Sequence, residues 1–191
     1  MQARADSPPT RAGGRMAQRT SGKWVHGAHR VALMRIGFGL IWAIDAFYKW
    51  RPGFLKDFSG QFHTQGTPAA ILPWLNFWKN LLTPHATFFA VCTALLETVI
   101  AACLILGLGR RTIYAIGAVL SFLIWAVPET FGRIWQSGQT DMGTSIIYMF
   151  IFLALLVVDA GANAGGWSLD RRLEARLPWW RRLAEFAGPH A

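Results

Sequence analysis

The chain has 191 residues, 53% hydrophobic and 15% charged, with 19 Lys and Arg against 10 Asp and Glu for a formal net charge of +9. A mean hydropathy of +0.29 is what several membrane spans produce in a small protein, and one membrane domain accounts for the length. The basic residues sit in short segments flanking apolar runs, so they read as orientation signals and argue against nucleic acid as a partner.

Residues 1 to about 28 carry Pro8, Pro9, Gly13, Gly14 and scattered Arg and Ser, with hardly any large apolar residue before Trp24. This composition predicts a disordered basic arm. It lacks the apolar core of a signal peptide, so no cleavage is expected. A first span follows over about 29–50, HRVALMRIGFGLIWAIDAFYKW. Its Arg35 and Lys49 have stems long enough to carry their charges to the two interfaces. Asp45 and Lys49, at i and i+4, suit an ion pair; the other reading makes Asp45 part of an outward-facing polar site. Gly37 and Gly39 leave room for another helix to approach.

Between Pro68 and Pro84, the residues Ile71, Trp74, Leu75, Trp78, Leu81 and Leu82 recur at helical spacing. The segment is too short to span. It reads as an amphipathic, extracytoplasmic interfacial helix anchored by Trp74 and Trp78.

The second span, about 88–109, is an apolar run of 22 residues with one acid, Glu97, near its middle. As a helix it is about 33 Å long, matching a bilayer core. Ala90, Ala94, Glu97 and Ala101 recur at helical spacing, which places the acid on a stripe of small residues facing protein. There the carboxyl must be neutral, paired or solvated. Two readings follow: a proton-exchanging site, or a protonated acid bonded to a neighbouring hydroxyl or carbonyl in helix packing. Cys92 and Cys103 are eleven residues apart in this run, about 16 Å of helical rise and beyond disulfide reach. The chain has no Cys-x-x-Cys, which argues against direct dithiol exchange of the thioredoxin kind.

Gly107, Gly109, Arg110 and Arg111 make a tight basic turn before a third span over about 112–127, which carries Gly117 and Ser121 in a small-xxx-small pattern and stops at Pro128. A polar loop with Glu129, Arg133, Trp135 and Asp141 leads to a fourth span over about 143–160, closed by Asp159 at the interface. Ser168 then suits an N-cap, with Asp170 at the positive end of the helix that follows. Trp179 and Trp180 beside arginine pairs make 176–191 an amphipathic interfacial tail.

The expected fold is therefore an all-α membrane protein: a four-transmembrane-helix bundle over 29–175 with an outer interfacial helix. Thirteen basic residues flank the spans on the side holding both termini and five on the other, Arg35 aside. Both termini are thus expected in the cytoplasm, the protein lying in a bacterial or archaeal cytoplasmic membrane.

No histidine lies within the core of a span, which argues against a bis-histidine haem. The chain has no phosphate loop, dinucleotide fingerprint or His-Glu-x-x-His, and no metal site is expected. Glu97 and Asp45 remain as candidate proton-exchanging carboxylates, with Glu129 and Asp141 in the same outer half. A quinone ring is placed among Trp42, Trp125 and Tyr148, because aromatics offer a flat apolar slot and carboxylates exchange protons with a hydroquinone. The ten tryptophans also fit a plain role as interface belts.

The order of RIGFGLIWAIDAFYKW, ALLETVIAACLILGLGRR and GANAGGWSLDRRLE resembles the DoxX and DoxD membrane proteins. Leu96 and Glu97 match the family's Leu-Glu pair, Leu106, Gly107 and Arg111 its Leu-Gly-x-x-x-Arg turn, and Trp167, Ser168, Leu169 and Asp170 its closing motif. The resemblance covers about residues 30–175. It implies a four-helix membrane subunit of a larger redox assembly, DoxD being the small subunit of thiosulfate:quinone oxidoreductase, with quinone as acceptor and a partner membrane subunit or a second copy alongside. Two other readings stand beside it: a non-catalytic accessory or assembly subunit using its tryptophan-rich faces, and a small proton-coupled transporter built on buried acids.

Overall fold

The computed structural model describes the backbone of residues 12–162 and 167–184, and every regular element among them is helical. Four long helices, α1 (Ala12–Lys49), α4 (Ala86–Leu106), α5 (Arg110–Ala126) and α6 (Thr144–Ala162), carry four short ones. The short helices are α2 (Pro52–Lys56), α3 (Leu72–Leu82), α7 (Asp170–Glu174) and α8 (Arg181–Ala184). Proline and glycine set most of the boundaries. No proline occurs between Pro9 and Pro52, and α1 occupies most of that interval. Pro52 opens α2, Pro73 lies in the first turn of α3, and Pro128 follows the end of α5. Between α4 and α5 there is no proline, and the reversal is made by Gly107 (φ 67) and Gly109 (φ 55) in the left-handed region.

Two boundaries differ from the sequence expectation. The helix α1 reaches back to Ala12, so 12–28 is helical where composition suggested a disordered arm; once the membrane-length helix is nucleated, extension into a proline-free stretch is favoured. Residues 1–11 of that arm, and most of the last part of the tail (185–191), lie outside the described residues. The segment expected at the interface, α3, is joined to α4 through a single 3-10 turn, Thr83–His85, and forms with it one continuous apolar helical run, Leu72–Leu106.

The long helices alternate in direction. Gly39 of α1 lies against Leu104 and Ile105 of α4, Lys49 against Glu97, Gly117 of α5 against Phe152 of α6, and Phe38 and Trp42 against Phe152 and Tyr148. This is an up-down-up-down bundle in which α1 pairs with α4 and α5 with α6, and the ring closes through α1–α6 and α4–α5. Phe38, Trp42, Ile100, Leu104, Tyr114, Phe152 and Leu155 fill its core. The stripe Ala90, Ala94, Glu97 and Ala101 is buried along α4 as its spacing required.

At Gly117 an added Cβ would lie inside the Phe152 ring. Phe152 is fully buried. The expected result for Gly117→Ala is therefore a loss of about 1–3 kcal/mol by overpacking, read from denaturant unfolding in detergent micelles.

The four long helices turn large apolar side chains outward and bury several charged ones. Phe47, Phe88, Val119, Phe150 and Val157, the last 75% exposed, point outward from the four long helices, whereas Arg35, Glu97, Arg110, Asp159 and Asp170 are buried. An exposed apolar area on every long helix is far more than a water-facing monomer carries. Two helical runs, His29–Lys49 and Leu72–Leu106, are long and apolar enough to cross a membrane, and Thr144–Asp159 is a shorter apolar helix.

Candidate functional site

The buried charges form two groups at opposite ends of the bundle. At the end where the Gly107–Gly109 turn meets residues 167–184, the guanidinium of Arg110 donates to Asp159 Oδ1 at 2.8 Å and, through Nε, to Asp170 Oδ2 at 3.1 Å. Tyr114 donates its hydroxyl to Asp159 at 3.0 Å. Asp170 also accepts the backbone N–H of Gly109 at 2.7 Å and the Trp180 indole N–H at 2.7 Å, so its carboxylate sits on the N-terminus of α5. Ser168 donates to the Gly107 carbonyl at 2.6 Å, and Arg35 donates to the carbonyls of Leu104, Ile105 and Trp167. A side chain at position 107 would strike both Arg35 and Ser168, which adds to the left-handed backbone in requiring glycine there.

This end corrects three expectations. Arg35 does not carry its charge to an interface but is 2% exposed, held by carbonyls that the Gly107 turn leaves without helical partners. Asp159 is buried in an ion pair and not interfacial. Asp170 caps α5 besides opening its own helix. Each carboxylate here is matched by donors, and the network acts as a clasp between the turn and the closing segment.

The other end is different. Where α1 ends and the loop 127–143 returns to α6, Trp42, Asp45, Lys49, Glu97, Ile124, Glu129, Thr144, Ser145 and Tyr148 line a partly open polar chamber of about 200 Å³. Beside it lies an apolar chamber of about 370 Å³, and the two share Lys49, Ile124 and Glu129. The apolar chamber is walled by Phe54, Phe58, Phe62, Trp78 and Phe89 together with Leu120, Leu123 and Val127 of α5 and its end.

Lys49 lies on the wall of both chambers. Its ammonium pairs with Glu97 Oε1 at 3.1 Å and lies 5.1 Å from the centre of the Phe54 ring. The expected Asp45–Lys49 pair is therefore replaced by one between helices. Lys49 points across to α4, where the small residues around Glu97 leave space, while Asp45 lies beside the Tyr148 hydroxyl. Glu97 is 1% exposed, and its second oxygen, Oε2, has no hydrogen-bond partner in the protein; the same holds for Nε1 of Trp42 and of Trp78, residues that line the polar and the apolar chamber respectively. Buried polar atoms without partners are uncommon and point to a group the protein does not itself supply.

Glu129 is held in place by α6. Ser145 donates its hydroxyl at 2.6 Å and its backbone N–H at 3.3 Å to this carboxylate, which thus sits on the N-terminus of α6. The residues after Glu129 are strained: Thr130, Phe131 and Arg133 have φ of 51, 52 and 50 degrees. For a β-branched residue such as Thr130 this conformation is an outlier, sustained here by bonds from its hydroxyl to the carbonyls of His63 and Val127 at 3.2 and 3.3 Å.

Of the residues singled out from sequence, Glu97, Asp45, Trp42 and Tyr148 meet at the polar chamber. Trp125 does not: its indole N–H donates to the Met142 carbonyl at 2.7 Å and its ring packs on Phe131. Nor do the three aromatics form a slot. Trp42 and Tyr148 lie 5.3 Å apart and tilted, closed against Phe38 and Phe152, with no gap for a flat ring. Asp141 turns back on its own loop, accepting the Gly143 N–H at 2.8 Å.

The aromatic chamber lies instead on the connection after α1. Phe54, Phe58 and Phe62 stack edge to face at 5.6 and 5.5 Å, and Trp78 of α3 turns toward them and not only toward the interface. Their spacing of four residues is the signal available in the stretch between α1 and α3. Among the described residues no group of three His, Cys, Asp or Glu is placed to hold a metal ion. No protein-family model, curated protein or solved structure matches the chain.

Proposed function

We propose that this is a four-span protein of a bacterial or archaeal cytoplasmic membrane, a DoxX/DoxD-type subunit of a quinone-linked redox system, whose adjacent chambers take the quinone. The spans are the membrane part of α1 from His29, then α4, α5 and α6. Their support is the apolar side chains that all four present outward and the thirteen-to-five distribution of basic residues, which puts both termini in the cytoplasm. With Asp141→Cys and Arg176→Cys in separate variants, a membrane-impermeant maleimide should label the first from outside intact cells and spare the second. Labelling of both or of neither would contradict this topology.

The observation that carries the functional reading is the apolar aromatic chamber lying beside a carboxylate-lined one, with Lys49, Ile124 and Glu129 on the wall of both. A quinone needs both: a flat apolar space for its ring and tail, and proton-exchanging groups within reach of its oxygens. Glu97, Asp45 and Glu129 supply the second, and the polar chamber lies at the extracytoplasmic end of the spans. The chamber holds three carboxylates against one ammonium, a balance that repels a dianion such as thiosulfate. Oxidation of a sulfur oxyanion therefore falls to a partner subunit, and this chain contributes the quinone side.

The test is purification of the full chain from its native membrane in gentle detergent, with mass spectrometry of extracted lipids and partners. The expected result is quinone near one per chain together with a redox partner. A complex free of quinone would make the chain an accessory subunit and end this reading.

A further inference from the structure

The two chambers also bear on which redox form of the ligand they hold. In the polar chamber, acceptors outnumber donors. Asp45, Glu97 and Glu129 bring three carboxylates, against which Lys49, the cation lining the chamber, already gives one of its three N–H donors to Glu97 at 3.1 Å. Among the described residues neither Asp45 nor Glu129 has a basic side chain within ion-pair distance. The Ser145 hydroxyl is already given to Glu129, and the Tyr148 hydroxyl faces Asp45.

Two deeply buried groups lining the chamber keep an unmatched polar atom: Glu97, with the acceptor Oε2, and Trp42, with the donor Nε1. One acceptor and one donor together complement a hydroxyl, which offers an O–H and lone pairs from the same atom. A carbonyl has no proton to give to Glu97 Oε2 and sets its lone pairs against carboxylate oxygens. That leaves a buried acceptor unpaired, which is the costly outcome.

Resting on the quinone-site reading above, we propose that the cavity binds a hydroquinone in preference to the corresponding quinone, Glu97 accepting the head-group O–H and Trp42 donating to the same oxygen. The aromatic chamber holds the ring substituents, and Trp78 Nε1 is the donor available on that side. The preference is for one member of a redox couple, so it shifts the couple's potential. Each tenfold excess of affinity for the reduced form raises the bound couple's midpoint by about 30 mV for two electrons.

The experiment uses the full chain in detergent micelles stripped of endogenous quinone, titrated anaerobically with a decyl-substituted benzoquinone and separately with its hydroquinone. The expected result is hydroquinone binding at least tenfold tighter, with the ratio falling toward one in Glu97→Gln, whose amide offers a donor as well as an acceptor. Asp45→Asn, at a half-buried site without an ion pair, carries the test if Glu97→Gln fails to fold. A lowered ratio there supports the proposal, and an unchanged one overturns it. Equal affinities, or tighter quinone, in the unaltered protein overturn the preference while leaving the quinone site standing. Binding of neither form removes the site reading as well.

Discussion

Arg110→Met should prevent the protein from accumulating in the membrane. Arg110 holds Asp159 and Asp170 through separate nitrogens, and the two acids have side chains 1% and 0% exposed. Without the guanidinium, two buried carboxylates face each other with no cation between them, and breaking such a network costs about 3–5 kcal/mol. That is a large part of the stability of a protein this size. Arg110→Lys should not rescue it, because an ammonium cannot present the planar fork that reaches both acids. Asp170→Ala should be milder, since Arg110 keeps Asp159, yet it removes the carboxylate that ties Gly109, Arg110 and Trp180 together and so loosens residues 167–184 on the turn. The measurement is membrane-inserted protein by immunoblot together with protease sensitivity of the tail. Normal levels of Arg110→Met would show that the clasp carries no stability.

Lys49→Met should abolish quinone retention, by more than tenfold in quinone recovered per chain. The ammonium is the only cation on the wall shared by the two chambers, among the described residues. Its removal leaves Glu97 buried with no ion-pair partner, a state that costs about 3–5 kcal/mol unless the acid takes up a proton. Stability and binding therefore fall together in this variant. The pair Lys49→Met with Glu97→Leu separates them. Replacing a buried ion pair by apolar residues of similar volume is often neutral or stabilising, so this double variant should fold well and still hold no quinone. Full quinone retention in the double variant would assign the pair to packing alone.

Local patterns made part of this architecture legible. The small-residue stripe of α4 placed Glu97 inside from spacing alone, and prolines and glycines marked where most helices stop. What resisted reading were interactions across the bundle. Asp45 and Lys49 satisfy a local ion-pair rule, but Lys49 faces α4, and Glu97 is 48 residues away in sequence. Arg35 looked like a residue for the interface, because nothing near it in sequence shows that the Gly107 turn frees carbonyls 69 and 70 residues on.

The aromatic site shows the same limit. Trp42 and Tyr148 were rightly placed near the acids, yet Phe38 and Phe152 close the space between them, and that packing depends on how three helices meet. The walls of the apolar chamber came from Phe54, Phe58 and Phe62, whose spacing is helical but whose segment is interrupted between α2 and the turn Ser59–Gln61. Only the folded chain brings them over α5.

Photolabelling with an azido-benzoquinone, followed by peptide mapping, tests the quinone site most directly. The account predicts labels on the segment from Phe54 to Phe62, on Trp78 or on Phe89, displaced by excess unlabelled quinone and absent in Lys49→Met. Labels confined to outward residues such as Phe150 and Val157, or insensitive to competition, would mean that the quinone meets this protein only as a component of the surrounding lipid.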